Sequence, residues 1–133
     1  MAVILDADVI IGGDKGVFDL PAWVASMPNE QFEIAAITGA ELWQGVERAS
    51  RAHKAKRQRY LEAILEALPI IPYTEQTAYE HARIWAQLEA SGKMIGSYDV
   101  IVAATALERG SSLATFNQRH FSQVKGLTLI LPK

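Results

Sequence analysis

The chain has 133 residues, a formal charge of −2, no cysteine, and hydrophobic side chains at half its positions. That length builds one domain with a real core, the missing cysteines exclude disulfides and thiolate zinc sites, and the charge gives no global pull toward nucleic acid. No run approaches the ~20 apolar residues of a membrane helix and no signal peptide opens the chain, so a cytoplasmic protein without membrane contact is expected.

No repeat, low-complexity tract or linker interrupts the sequence, so residues 1–133 read as a single domain. Residues 3–5 form a short buried strand, and residues 9–11 begin a brief helix that stops near Gly12-Gly13. Residues 20–27 suit a second helix, with Pro21 in its tolerated first turn. Residues 32–37, apolar and β-branched, suit a second strand, after which Thr38 starts a helix reaching about Ala49. Tyr60, Leu61, Ile64, Leu65 and Leu68 then make a helical stripe that Pro69 ends.

Ile70 and Ile71 make a third strand. Thr74 caps a helix whose apolar face holds Ala78, Ile84, Trp85 and Leu88, and Gly92 closes it. Another helix runs from about Tyr98 to Arg109, and residues 113–115 and 127–131 supply the last strands. Short apolar strands alternating with helices predict an α/β fold, its parallel sheet covered on both faces. Trp23, Trp43 and Trp85 sit among apolar neighbours and read as core or subunit-interface residues.

In open α/β sheets, ligands bind beyond the carboxyl ends of the strands. Asp6 ends the first strand, Thr38 and Glu41 follow the second, Asp99 opens a helix, and Asn117 follows the fourth strand. Each has an innocent explanation. Asp8 could cap the first helix, Thr38 and Glu41 fit a capping box, Asp99 suits a helix N-terminus, and Asn117 suits a turn. Capping does not require all these acids to share one rim of the sheet; a metal site does. Carboxylates gathered there repel one another and call for Mg²⁺ or Mn²⁺, which favour oxygen ligands. His120, the one histidine near these positions, reads as a surface or supporting residue.

Arg48, Arg51, Lys54, Lys56, Arg57 and Arg59 crowd six cations into residues 48–59. They are either a solvated helix face or a patch that neutralises phosphates.

Four stretches, ILDADVII, ITGAELWQGVERA, SYDVIVAATALERG and LATFNQRHFSQVKGL, carry these residues in order. Together they resemble the PIN-domain ribonucleases, most closely the VapC-type toxins of bacterial toxin–antitoxin pairs, across essentially the whole chain. The resemblance implies a three-layer α/β/α sandwich with a mostly parallel sheet, and Mg²⁺- or Mn²⁺-dependent endonucleolytic cleavage of RNA. It makes Asp6, Glu41 and Asp99 metal ligands and catalytic groups, and puts Asn117 at a fourth position that is acidic in some members. Asp8 falls where the family often has asparagine, which adds a charge and a further candidate ligand. Arg48 to Arg59 then read as an RNA-binding arm, to which Lys93 and Arg119 add. An antitoxin partner and a homodimer, its interface around Trp43, Tyr60, Ile64 and Trp85, complete the expectation.

Two other classes compete. A haloacid dehalogenase-type phosphatase would use Asp6 and Asp8 as nucleophile and acid and Thr38 as phosphate-binding hydroxyl, but leaves Glu41 idle. A catalytically inactive PIN-like binding module would explain the departures at positions 8 and 117.

Overall fold

The computed structural model describes all 133 residues. Five strands, β1 (Ala2–Leu5), β2 (Gln31–Ala35), β3 (Ile70–Ile71), β4 (Ser112–Ala114) and β5 (Leu129–Ile130), form one sheet ordered β3-β2-β1-β4-β5. Every pairing is parallel; Val3 stands opposite Phe32 of β2 and Ser112 of β4. The first strand is thus the middle of the sheet. Its residues Val3, Ile4 and Leu5 are at most 1% exposed, as a strand flanked and covered on every side must be.

Alternation along β1 divides the core in two. Val3 and Leu5 join one cluster with Ile10 of α1 (Ala7–Asp14), Trp23 of α2 (Leu20–Ala25), Val46 of α3 (Ala36–Arg48) and Leu61 of α4 (Arg51–Ala67). Ile4 joins the other with Ile84 of α5 (Glu75–Ser91), Val102 of α6 (Ser97–Arg109) and Phe121 of α7 (Gln118–Phe121). Helices therefore cover both faces, and the expected three-layer sandwich is what forms. Trp23 is in the core, while Trp43 and Trp85 are half-buried against the two clusters.

Three local expectations are corrected. α1 runs straight through Gly12-Gly13, and the chain turns at Gly16, whose φ is +73°. Gly13 serves close packing instead: a Cβ there would lie 2.8 Å from the Tyr60 hydroxyl and 2.9 Å from Leu20 Cβ. Tyr60, from α4, donates its hydroxyl to the Ile10 carbonyl at 2.8 Å, locking α4 onto α1. Second, α3 begins at Ala36, capped by Ala35 with no side-chain hydrogen bond, so the chain enters it two residues before Thr38. Third, a short α7 follows Asn117, and the final strand shrinks to Leu129–Ile130.

Other punctuation works as read. Thr74 and Thr77 close a reciprocal capping box on α5, and Gly92 and Gly110 end α5 and α6 in the left-handed conformation. At its C-terminal end α6 is tied to β2, where Arg109 grips the buried Glu33 through two bonds of 2.7 and 3.1 Å.

Candidate active site

The strand order reverses direction between β1 and β4: β2 and β3 lie to one side of β1, β4 and β5 to the other. A crevice at such a switch point, beyond the strands' carboxyl ends, is where open α/β sheets hold ligands. Asp6 leaves β1 there and Thr115 leaves β4 beside it.

Asp6 is 5% exposed and caps α1. Its Oδ1 accepts the Ala7 N–H at 2.9 Å and its Oδ2 accepts the Thr115 hydroxyl at 2.8 Å. Asp8, one residue into the same helical turn, is not the cap. Its carboxylate reaches across to β4's end and accepts the Phe116 N–H at 3.2 and 3.3 Å. The Thr115 hydroxyl stands 3.4 Å from Asp8 Oδ2 and accepts the Asn117 N–H at 2.9 Å. One threonine side chain thus joins Asp6, Asp8 and Asn117.

Glu41 enters from α3. Because that helix starts at Ala36, Thr38 and Glu41 cap nothing, and the capping-box explanation for Glu41 falls away. Glu41 Oε1 is buried without a hydrogen-bond partner. Leaving such an acceptor bare costs of the order of 1–3 kcal/mol. Thr38 is fully buried in the first turn of α3, so it cannot offer its hydroxyl to a phosphate as the phosphatase reading needs. Asp99 sits in the first turn of α6, which Gly96 caps without a side-chain hydrogen bond.

The four carboxylates feel one another. Burial, then the charge of Asp8, pushes Asp6 up to about 7. Asp8 is raised by burial against the hydrogen bonds it accepts. Glu41 is raised by burial and by the charges of Asp99 and Asp8, and Asp99 by burial and Asp8 against the opposing charge of His120. His120 is exposed, and its Nδ1 lies 3.0 Å from Asn117 Nδ2, so Asn117 and His120 reach the same rim.

An all-carboxylate donor set fits a hard divalent cation such as Mg²⁺ or Mn²⁺. The unpartnered Glu41 oxygen and the like-charge repulsion felt by Asp6, Glu41 and Asp99 fit it too. As the side chains stand, no three of them close around a single point. Drawing them inward is what a cation's charge would do.

The basic run does not form one surface. On α4, Arg51, Lys54 and Arg57 recur at three-residue spacing on the face that continues to Leu61; Lys56 and Arg59 lie on the opposite side. Arg57 is half-buried, Lys54 pairs with Glu47 at 3.5 Å, and Arg48 is exposed at the end of α3. Arg119 is exposed on α7, two residues from Asn117. Lys93 is exposed in the turn after α5.

Sequence reasoning missed Thr115. As a β-branched residue at a strand end it looks ordinary, and its only distinguishing mark is its place two residues before Asn117.

Residues 3–127 match the family model of the PIN domain. The chain is 30% identical over 131 residues to Ribonuclease VapC1 of Rickettsia felis, covering 98% of this chain and 96% of that one. Its fold matches VapBC2 from Rickettsia felis bound to a DNA fragment from their promoter, with a TM-score of 0.91 at 24% identity over 98% of each chain. VapBC-5 of Mycobacterium tuberculosis, a member of the VapBC family of toxin-antitoxin systems, matches with a TM-score of 0.78 at 25% identity, over 99% of this chain and 98% of that one.

Proposed function

The chain belongs to the PIN domain family, within its VapC group, and from that premise we propose that it is a single-domain endoribonuclease acting as the toxin of a toxin–antitoxin pair. One observation carries the chemistry: Asp6, Asp8, Glu41 and Asp99, from three helices, are all raised by burial at the sheet's switch point, Asp6, Glu41 and Asp99 also by one another's or Asp8's charge, while Glu41 keeps a bare buried oxygen. No structural role accounts for all four.

Asp6, Glu41 and Asp99 are the residues that would hold Mg²⁺ or Mn²⁺, with Asp8 beside them. Bound there, the cation polarises a phosphate and lowers the pKa of a water. Thr115 fixes the rotamer of Asp6 by donating to Oδ2, and Asp8 is aimed by the Phe116 N–H. Asn117 adds no charge; its amide holds His120 at the rim, where His120 offsets the charge of Asp99. The acidic crevice repels a bare phosphodiester, so attraction must come from around it. Arg57, Lys54 and Arg51 on one flank and Arg119 on the other supply it, by phosphate contacts that weaken with salt. Lys56 and Arg59 contribute from the far side of α4, and Arg48 from the end of α3.

The reading includes three further parts: a cytoplasmic location, a homodimer, and an antitoxin that occupies the acidic crevice. VapBC-5 of Mycobacterium tuberculosis, a member of a toxin-antitoxin family matched over 99% of this chain, supports an antitoxin partner. No helix here is long and apolar enough to cross a membrane. The phosphatase reading gives way to the family match.

The test is cleavage of defined RNAs by purified protein with and without Mg²⁺ or Mn²⁺. Cleavage that EDTA stops and added metal restores supports the nuclease; no cleavage in either metal would leave the inactive binding module. Growth arrest on expression, relieved by an antitoxin, tests the toxin role.

A further inference from the structure

Beside Glu41 the crevice continues into a cavity of about 150 Å³ walled by α1, α3 and α4. Its lining is mostly apolar, with Leu42, Val46 and Leu61 among it and Tyr60 as an aromatic wall. Asp14, Lys15, Glu41 and Arg57 bring the polar side chains. Such a lining suits neither a metal ion nor a phosphate, each of which needs polar partners on most sides. A cavity of about this volume holds one small aromatic ring.

Charge decides the occupant. Arg57 lines the cavity and also heads the row of Arg57, Lys54 and Arg51 along one face of α4. A nucleotide entering here could lay its ring against Tyr60 while its phosphates follow that row. Stacking on an aromatic side chain holds any base, and a carboxylate oxygen accepts a hydrogen bond from a base's amino group or ring N–H. Asp14, which lines the cavity with Tyr60, is placed to do this.

We propose that this cavity is a nucleobase subsite, receiving an RNA base that flanks the scissile phosphate. The proposal rests on the ribonuclease reading of the Glu41 crevice and adds to it a place that holds a base.

Gly45 supplies the test. It lines the cavity from within α3, and a Cβ built on it meets nothing within 4 Å. Gly45→Leu therefore fills the subsite without touching the carboxylates, and Gly45→Ala is the size control; circular dichroism checks that both fold. The probes are an eight-nucleotide RNA of mixed sequence and an abasic ribose–phosphate oligomer of the same length and charge. Their binding is followed by fluorescence anisotropy at fixed salt in Ca²⁺, a hard oxygen-seeking cation. Wild type and Gly45→Ala are expected to bind the base-bearing oligomer about tenfold more tightly than the abasic one. Gly45→Leu should bind the two alike. A wild type that does not discriminate, or a Gly45→Leu variant that still does, overturns the subsite. So does a Gly45→Leu variant that keeps base discrimination and loses only inhibition by an antitoxin, since that assigns the cavity to the protein partner. Discrimination that Gly45→Leu erases, in a protein that cleaves no RNA in Mg²⁺ or Mn²⁺, would uphold the subsite and overturn the nuclease.

Discussion

Thr115 gives its hydroxyl proton to Asp6 at 2.8 Å, from a position 109 residues further along the chain. A hydroxyl has one proton, so the longer approach to Asp8, at 3.4 Å, is left without a strong bond. Thr115→Val keeps the branched shape and deletes the donor. Removing a group that orients a metal ligand costs roughly 10–100-fold in metal affinity or activity. We expect a loss of that order in Mn²⁺ affinity by titration calorimetry, with Thr115→Ser close to wild type. Equal affinity in the valine variant would take Thr115 out of the site.

Asp6 governs the response to pH. Its folded pKa of about 7 lies above the ordinary 3.8, so between these values the folded state keeps a proton that the unfolded chain releases. Stability of the metal-free protein should therefore fall as pH rises from about 4 to about 7 and then level off. Asp6 alone contributes a loss of the order of 4 kcal/mol at most. Asp8, Glu41 and Asp99 are raised as well and push the same way. Asp6→Asn should flatten this decline and raise the melting temperature at pH 8, and Mn²⁺ should stabilise wild type there.

The same carboxylates should be indispensable to cleavage. Asp6→Asn and Asp99→Asn are each expected to abolish RNA hydrolysis while leaving the circular dichroism spectrum unchanged. Near wild-type cleavage by either variant in saturating Mg²⁺ would break the proposed mechanism.

The two faces of α4 should separate in binding assays. Arg57→Ala removes a cation on the crevice side and is expected to lower the salt slope of RNA affinity by about one. Arg59→Ala, on the opposite face, should change it less. Equal slopes for both variants would return the whole run to a solvated surface.

Arg109 and Glu33 offer a control away from the chemistry. Glu33 is buried and Arg109 keeps a side-chain exposure of 35%. Arg109→Met strands the Glu33 charge and should destabilise the fold by about 2 kcal/mol, less than for a fully buried pair. Adding Glu33→Leu should recover much of that loss in a denaturant titration. RNA cleavage per folded molecule should stay unchanged in both.

The order of strands and helices was legible because apolar runs and glycine, proline and threonine punctuation recur at the right intervals. So was the rim: Asp6, Glu41, Asp99 and Asn117 all follow strand ends or open helices. The start of α3 was not legible, because residues 34–37 stay apolar across the strand-to-helix change and Ala35 caps nothing. Gly12-Gly13 read as a stop because glycine usually ends helices; here Gly13 is small so that Tyr60 and Leu20 can approach. Thr115 was hidden because its partners lie at the other end of the chain. The basic run could have been divided between faces by its spacing alone.

β4 lies late in the chain and beside β1, which gives the crevice an order of assembly during synthesis. A ribosome that has reached Ser111 has already made Asp6, Asp8, Glu41 and Asp99. At that moment β1 has one unpaired flank, Asp6 has no Thr115 to hold it, and Asp8 has no Phe116 N–H to aim it. A stalled or truncated product would carry all four acids and no organised centre. The activity we propose is directed at RNA, and every nascent chain emerges among RNA. On that proposal its onset waits for residues 112–116, the last part of the crevice to be made.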